Sequence, residues 1–392
     1  MLNRRASTAR LRCEPLEGRL TPAGTVVVDV TGSSVKITGD DQENDISVFV
    51  DNNPTANTLH IVGNNGTGVT INDPLPAGDA VGKLTIDLKK AAISTVQDPR
   101  GTEGVDTVNV HDIFLGGNLL IKGKNGGVVT VNNVYGLKAT IDFHAGNGIS
   151  TVDQTKGPLG SNIKILNSNL GFDGRQSPPK QLGVTVLTKD CKDHVEVRAT
   201  TVQGSLTIRT KGENDDIGLF GVYNFFGTSN FGITGLNIDA GTGDDFFAAS
   251  GIDVIKGTNI KMGDGNDKVL IGRFEGFGSN LFRSNVSIDL GKGDDVIGIG
   301  HTSNPDNLGT SFGAKLTVKG GIGDDKLMIG NQVTLSAAKH SIDGGPQTTA
   351  DALEVLTPPF DPNDKIFKNW ETRGGFVAAN LSALVADEGT RF

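Results

Sequence analysis

The side chains with metal-binding chemistry are concentrated in short turns that combine two glycines with adjacent acidic residues. Four turns share the pattern Gly-x-Gly-(Asp/Asn)-Asp, at 241–245, 263–267, 291–295 and 321–325. Composition alone predicts about 0.1 copies of this pattern, so the four copies are a repeat. Hard divalent cations prefer oxygen ligands such as carboxylates. A repeated acidic turn therefore suits a hard cation.

The segments on either side of each turn read as short strands. Apolar and polar residues alternate in Leu84–Leu88, Leu206–Arg209 and Val286–Leu290, which is the period of a half-buried strand. Residues 24–350 contain almost no stretch with helical apolar spacing. One coil is thus a strand, a Gly/Asp turn, a second strand and a return loop of variable length.

The turns recur at intervals that predict a solenoid. Taking the last aspartate of each turn as Asp193, Asp216, Asp245, Asp267, Asp295, Asp325 and Asp351, the spacings are 23, 29, 22, 28, 30 and 26 residues. Coils of this size stack about 4.8 Å apart, so about a dozen coils give a rod of roughly 60 Å. We predict an all-β fold, a parallel β-helix or β-solenoid with β-roll-like coils of about 20–30 residues.

Three regions follow from composition. Residues 1–23 form a basic leader, 24–356 the solenoid with its best repeats at 204–345, and 357–392 a C-terminal cap. The cap is predicted to contain a last strand near 365–371 and a short amphipathic helix at Phe376–Ala386. A solenoid needs such a cap to cover its open core and sheet edge.

Stacking would align the acidic residues of successive turns. Two unit charges about 4.8 Å apart repel by about 1 kcal/mol in water and about 3.5 kcal/mol at an effective dielectric of 20. A cation in the column would remove this repulsion, with Asp244, Asn266, Asp294 and Asp324 beside it. The alternative is that each aspartate only forms its turn, with a solvent-facing carboxylate bonded to local N–H groups.

Composition excludes several classes of function. The net charge is −9, of which 1–23 contribute +3 and 24–392 contribute −12, so a basic surface for nucleic acid is missing. No apolar run approaches 18 residues, which predicts no transmembrane segment. The six histidines are scattered without metal-ligand spacing, so we predict no catalytic residues and no enzyme activity. A carbohydrate-active β-helix lyase or hydrolase remains an alternative, although only one Trp and two Tyr are available as sugar platforms.

The turns resemble the calcium-binding repeats of repeats-in-toxin (hemolysin-type) proteins, which form parallel β-rolls. Residues 320–328 match the full Gly-Gly-x-Gly-x-Asp-x-apolar-x nonapeptide. The resemblance implies bound Ca²⁺ with carboxylate ligands from Asp245, Asp267, Asp295, Asp325 and Asp216, and carbonyl ligands from Gly241, Gly243, Gly263, Gly265, Gly291, Gly293, Gly321 and Gly323. Here the motif occurs once per coil, which implies a single column of sites. Ala240, Met262 and Leu290 replace the leading glycine of the family in three copies.

The leader resembles a second known motif. Leu16, Glu17 and Arg19 match the Leu-Glu-Pro-Arg-type N-terminal motif of exported and surface proteins of planctomycete bacteria, with Gly18 in place of proline. The alternative is a disordered basic arm.

We predict an exported or cell-surface calcium-binding β-solenoid with a structural or adhesive role. Its partner would be a cell-surface polysaccharide or another surface protein, and the second alternative is a metal-free structural β-helix.

Overall fold

The computed structural model describes residues 24–40, 42–51, 58–76, 81–88, 106–123, 127–143, 160–173, 180–189, 191–222, 233–272, 278–300, 309–330, 332–336, 339–346, 351–355, 365–375 and 391–392. The leader 1–23 and the predicted helix Phe376–Ala386 lie outside the described residues. None of the described segments forms an apolar helix of membrane-spanning length.

The first half of the chain contains β1 (Thr25–Thr31), β2 (Ser34–Gly39), β3 (Asp45–Val50), β4 (Leu59–Gly63), β5 (Gly68–Ile71), β6 (Lys83–Asp87), β7 (Asp106–Phe114), β8 (Asn118–Lys122), β9 (Gly127–Gly136), β10 (Lys138–Asp142), β11 (Asn162–Leu166), β12 (Asn169–Leu170), β13 (Phe172–Asp173), β14 (Lys180–Gln181), β15 (Val184–Leu187), β16 (His194–Arg198) and β17 (Thr201–Val202). The second half contains β18 (Ser205–Gly212), β19 (Asp216–Phe220), β20 (Gly235–Thr242), β21 (Phe246–Ser250), β22 (Asp253–Val254), β23 (Thr258–Asp264), β24 (Lys268–Gly272), β25 (Asn280–Phe282), β26 (Val286–Lys292), β27 (Val296–Gly300), β28 (Thr310–Phe312), β29 (Leu316–Ile322), β30 (Lys326–Ile329), β31 (Val333–Leu335), β32 (Ser341–Asp343), β33 (Ala352–Val355), β34 (Phe367–Lys368) and β35 (Thr372–Gly375).

These strands build two long sheets that face each other. The first sheet runs β34-β32-β29-β26-β23-β20-β18-β15-β10-β8-β6-β2-β1-β5, and the second runs β35-β33-β30-β27-β24-β21-β19-β16-β11-β9-β7-β3-β4. From β18 onward the chain alternates between the sheets, and each circuit adds one parallel strand to both. The chain is therefore a parallel β-helix, and the predicted fold class is confirmed.

Strand alternation explains the core. Ile208, Ile238, Ile260, Ile288 and Val318 are directly paired from coil to coil, and each is at most 1% exposed. Their polar neighbours point to the outside of the first sheet. One apolar column per strand is thus buried along the whole stack, as the alternating sequence predicts.

A small third sheet closes part of the stack. It runs β22-β25-β28-β31, and its rings Phe282 and Phe312 stack with their centroids 5.1 Å apart. Strand β25 (Asn280–Phe282) lies in a return segment, where the sequence predicts only a loop of variable length. These return segments therefore contribute paired strands and core side chains.

The two ends of the stack differ. At the start, β1 and β2 pair antiparallel, as do β3 and β4, whereas the later long-sheet pairings are parallel. At the other end the sheets continue through β34 and β35, so the solenoid extends past residue 356, where the sequence placed its boundary. Trp370 is 3% exposed, and its indole N–H donates to the carbonyl of Ile342 at 3.3 Å. The predicted last strand is thus a further coil on the same core.

Candidate metal column at the Gly-Asp corner

The four Gly-x-Gly turns lie directly over one another at one corner of the solenoid. Gly241, Gly263, Gly291 and Gly321 are paired from coil to coil. Gly263 has a φ of 124°, and a Cβ there would overlap the carbonyl oxygen of Gly241. Glycine is required at this position by both the left-handed φ and the close approach of the next coil. The structure therefore brings the predicted corner residues into one column.

The last aspartate of each turn points inward and joins an inner ladder of hydrogen bonds. Oδ1 of Asp267 accepts from the N–H of Asp245 at 2.9 Å, and Oδ1 of Asp295 accepts from the N–H of Asp267 at 2.8 Å. The same bond recurs at Asp193, Asp215, Asp245, Asp325, Asp351 and Glu371, each accepting from the residue one coil earlier. The seven ladder aspartates are at most 2% exposed. They are therefore part of the core and not splayed into solvent.

The residue just before each inner-ladder aspartate forms an outer ladder, in which the hydrogen bonds run in the opposite direction along the stack. Oδ1 of Asp244 accepts from the N–H of Asn266 at 2.8 Å, and Oδ1 of Asp294 accepts from the N–H of Asp324 at 2.9 Å. Here the side chain accepts from the following coil, whereas in the inner ladder it accepts from the preceding coil. The two ladders give partners to main-chain N–H groups at a corner where the strands end.

The second carboxylate oxygen of the inner ladder is buried without a hydrogen-bond partner. Among the described residues this holds for Oδ2 of Asp245, Asp267, Asp295, Asp325 and Asp351, whereas the carboxyls of Asp193 and Asp215 also interact with the hydroxyls of Thr188 and Thr210. A buried polar atom without a partner costs about 1–3 kcal/mol, and more when it is charged. A bare charged column is thus unfavourable; a proton on Oδ2 removes the charge, whereas a cation also gives the oxygen a partner.

Burial raises the pKa of these carboxyls. It raises the pKa of Asp215 to about 9, of Asp245 and Asp295 to about 8, and of Asp267 to about 7. Neighbouring carboxylates of the same corner raise the pKa further, whereas the N–H bonds to Oδ1 lower it. In the absence of a cation, the middle of the column is therefore largely protonated near neutral pH.

The residue before the first glycine determines what faces Oδ2. Ala240, Met262 and Leu290 are fully buried and contribute to the main core. At Gly320 a Cβ would overlap both Oδ2 of Asp325 and the carbonyl oxygen of Gly344. A carboxylate oxygen and a carbonyl oxygen thus face the same small space in this coil. One coil later Gly344 repeats this arrangement, with Oδ2 of Asp351 and the carbonyl oxygen of Asn369.

The donor set fits calcium within limits. No group of three or more His, Cys, Asp or Glu side chains converges on one point in the described part of the chain. An ion here would therefore take only one or two carboxylates from successive coils and complete its shell with main-chain carbonyls. Calcium accepts this, because it takes six to eight oxygen ligands and uses carbonyls readily. Zinc, with its preference for four His or Cys ligands, does not suit the column.

Asp216 does not belong to the column. It is paired with Phe246 on the outward side of the second sheet, whereas Asp215 takes the place equivalent to Asp245. Of two adjacent strand residues only one can point inward. Since Ile217 is in the core, Asp216 must point outward and Asp215 inward. Counting back two residues from the inward apolar residue would have identified Asp215 from sequence.

Asp106, His60 and His111 lie in the early coils of the solenoid. Asp106 Oδ1 accepts from the N–H of Asn44 at 3.0 Å, which repeats the inner-ladder bond near the start of the solenoid. His60 and His111 stack on opposite sides of Phe49, at 5.0 and 4.8 Å between ring centroids. Each of these histidines also contacts an aspartate, Asp51 or Asp112. Ring stacking and an aspartate contact thus account for the positions of both histidines.

The fold and this corner define a class: a parallel β-solenoid with an internal column of stacked aspartates. No family model matches the chain, and no curated protein or solved structure is found to be similar to it.

Proposed function

We propose that the chain is an exported or cell-surface structural β-solenoid that binds calcium along the inner aspartate column. The observation that carries the proposal is the repeated Oδ2 atom, buried and without a partner at Asp245, Asp267, Asp295, Asp325 and Asp351 among the described residues. The ligands would be Asp245, Asp267, Asp295 and Asp325, extended by Asp215 and Asp351, with main-chain carbonyls of the turn glycines. Bound calcium would supply the positive charge that a buried row of carboxylates needs.

Calcium would make the rigidity of the solenoid depend on its surroundings. A ligand that binds only the folded chain stabilises it by about 2.7 kcal/mol at 100 times its Kd. Extracellular calcium modules work at dissociation constants of about 0.1–1 mM. A chain of this kind stays less stable where calcium is scarce and stiffens outside the cell. The resemblance of the leader to export motifs supports the same location.

The outer face of the first sheet supports an adhesive role. Thr207, Asn237, Asn259, Ser287 and Thr317 stack in register as one polar column. A second column in the same sheet alternates in charge through Arg209, Asp239, Lys261, Asp289 and Lys319. Repeated hydroxyl, amide and charged groups at a fixed spacing suit an extended polar partner such as a polysaccharide or another surface protein.

A metal-free structural β-helix is the second candidate. It is favoured by Ala240, Met262 and Leu290, whose side chains occupy the core beside the corner, and by Oδ1 bonds that already hold the coils together. In that case a proton on Oδ2 replaces the cation. A carbohydrate-active enzyme would instead release sugars or unsaturated products from acidic polysaccharides.

The test compares thermal unfolding in millimolar calcium and in chelator. The wild type is expected to melt at a higher temperature with calcium. The variant D245N/D267N/D295N/D325N is expected to lose this increase, whereas D244N/D294N/D324N in the exposed outer ladder keeps most of it. An unchanged wild-type melting temperature supports the metal-free helix and rejects the calcium proposal.

A further inference from the structure

The outer face of the second sheet carries an apolar cluster that the calcium proposal does not use. Phe220, Phe246, Ala248, Leu270 and Met328 form a cluster separate from the main core, and each is at most 2% exposed. They lie on the outward side of their strands, because their sequence neighbours Leu219, Phe247, Ala249, Val269, Ile271, Leu327 and Ile329 are in the main core. Outward residues of a solvated sheet are usually polar. The outer face of the second sheet is therefore a packing surface and not a solvated one.

The last two residues of the sequence contact this face. The ring of Phe392 lies 5.0 Å from that of His194, 5.2 Å from that of Phe220 and 6.3 Å from that of Phe246, centroid to centroid. Arg391 forms an ion pair with Asp216, and its guanidinium lies 4.8 Å from the centroid of the Phe246 ring. Asp216 thus binds the guanidinium of Arg391, and the neighbouring aromatic cluster packs against the ring of Phe392.

Gly218 provides the space for the Phe392 ring. A Cβ at residue 218 would lie 2.6 Å from Cε1 of Phe392 and 2.5 Å from Cε2 of Phe220. The backbone of Gly218 requires no left-handed φ, since it is not among the residues with positive φ. Its missing side chain therefore serves the packing of the ring and not the conformation of the strand.

We propose that Asp216, Gly218, Phe220, Phe246 and His194 form a recognition site for an Arg-Phe pair, the Arg-Phe socket. Its occupant is Arg391-Phe392 of the same chain, 175 residues away from Asp216 in sequence. The ligand class is a peptide with adjacent cationic and aromatic side chains. Recognition uses two points, because the carboxylate selects the guanidinium and the glycine floor selects a flat ring. The contact ties the end of this sequence to the middle of the solenoid.

The experiment removes the side chains that fill the Arg-Phe socket and measures whether a separate peptide binds there. The full chain carrying R391A/F392A is titrated into a fluorescein-labelled peptide with the sequence of residues 387–392, and fluorescence anisotropy is recorded. Saturable binding is expected, and at least about tenfold weaker binding to the wild type, whose socket is filled. Adding Asp216→Asn to R391A/F392A weakens binding at least about tenfold. A peptide ending in Ala-Ala is expected not to bind.

Matched controls separate recognition from general destabilisation. Asp253→Asn removes another Arg–Asp pair, with Arg283, on the third sheet, and is expected to leave peptide binding unchanged. Gly218→Ala should abolish binding, whereas Gly257→Ala, where a Cβ meets nothing within 4 Å, should not. If circular dichroism shows that R391A/F392A loses its β spectrum, Phe392→Leu is used instead.

Three results would overturn the proposal. They are the absence of saturable binding to the freed socket, equal binding of the Arg-Phe and Ala-Ala peptides, and equal effects of Asp216→Asn and Asp253→Asn. A wild-type dimer in light scattering that becomes a monomer in R391A/F392A would overturn the same-chain occupant, since the pair would then come from a second copy.

Discussion

Replacing Asp267 by Ala and by Asn distinguishes the roles of the two oxygens of one inner-ladder carboxylate. Alanine removes Oδ1 and leaves the buried N–H of Asp245 without its 2.9 Å acceptor, which costs about 1–3 kcal/mol. Asparagine keeps an acceptor at Oδ1 and places an amide N–H₂ where Oδ2 lies. Because burial raises the pKa of Asp267 to about 7, the amide resembles the protonated acid. We therefore expect Asp267→Asn to be nearly neutral without calcium.

Amide hydrogen exchange measures this locally. In calcium-free buffer, Asp267→Ala is expected to speed exchange of the Asp245 amide about 10- to 100-fold, which corresponds to about 1.4–2.8 kcal/mol. Asp267→Asn should leave that amide protected but reduce the gain in protection on adding calcium. Asn266→Ala in the exposed outer ladder should affect only the Asp294 amide, its partner at 2.8 Å. Equal losses for the Ala and Asn variants would refute the division of roles between Oδ1 and Oδ2.

Three further outcomes follow from the structure. In calcium-free buffer the melting temperature should fall as pH rises from about 5 to 8, because the folded chain keeps protons on Asp245 and Asp295 up to a pKa of about 8 while the unfolded chain loses them near 3.8; a flat profile, or one equal to that of D245N/D267N/D295N/D325N, contradicts this. Gly263→Ala should destabilise by about 2 kcal/mol or more in urea unfolding, since its φ is 124° and its Cβ would overlap the Gly241 carbonyl, whereas Gly257→Ala should be neutral. Ile260→Ala, in the inward column, should cost about 2–5 kcal/mol, against less than about 0.5 kcal/mol for its outward neighbour Asn259→Ala; similar costs would argue against the assigned strand faces.

The strands and corners of each coil could be predicted from the sequence because the signals for them are local. Apolar alternation recurs along the chain and the Gly-x-Gly turn recurs in four successive coils, so strands, corners and their stacking could be predicted together. Asp216 was predicted in place of Asp215 because this turn contains two consecutive aspartates, and Lys211 and Glu213 occupy its two glycine positions. Only the inward position of Ile217 distinguishes the two aspartates, and counting back two residues from it identifies Asp215.

Contacts between distant coils had no comparable signal. The direction of the inner carboxylates could not be predicted, since the same Asp can face solvent or core depending on where the turn ends. The third sheet arose from return segments of irregular length, which carry no period. The contact of Arg391 and Phe392 with Asp216 and Phe246 joins single residues that no repeat marks.

The most direct test of the calcium column is a crystal structure grown in millimolar calcium, with anomalous scattering used to identify the ions. The proposal predicts calcium beside the inner ladder, first of all near Asp325 and the Gly344 carbonyl, at about 2.3–2.6 Å from its oxygen ligands. A structure at neutral pH with stacked corners but no ion along that ladder would contradict calcium binding.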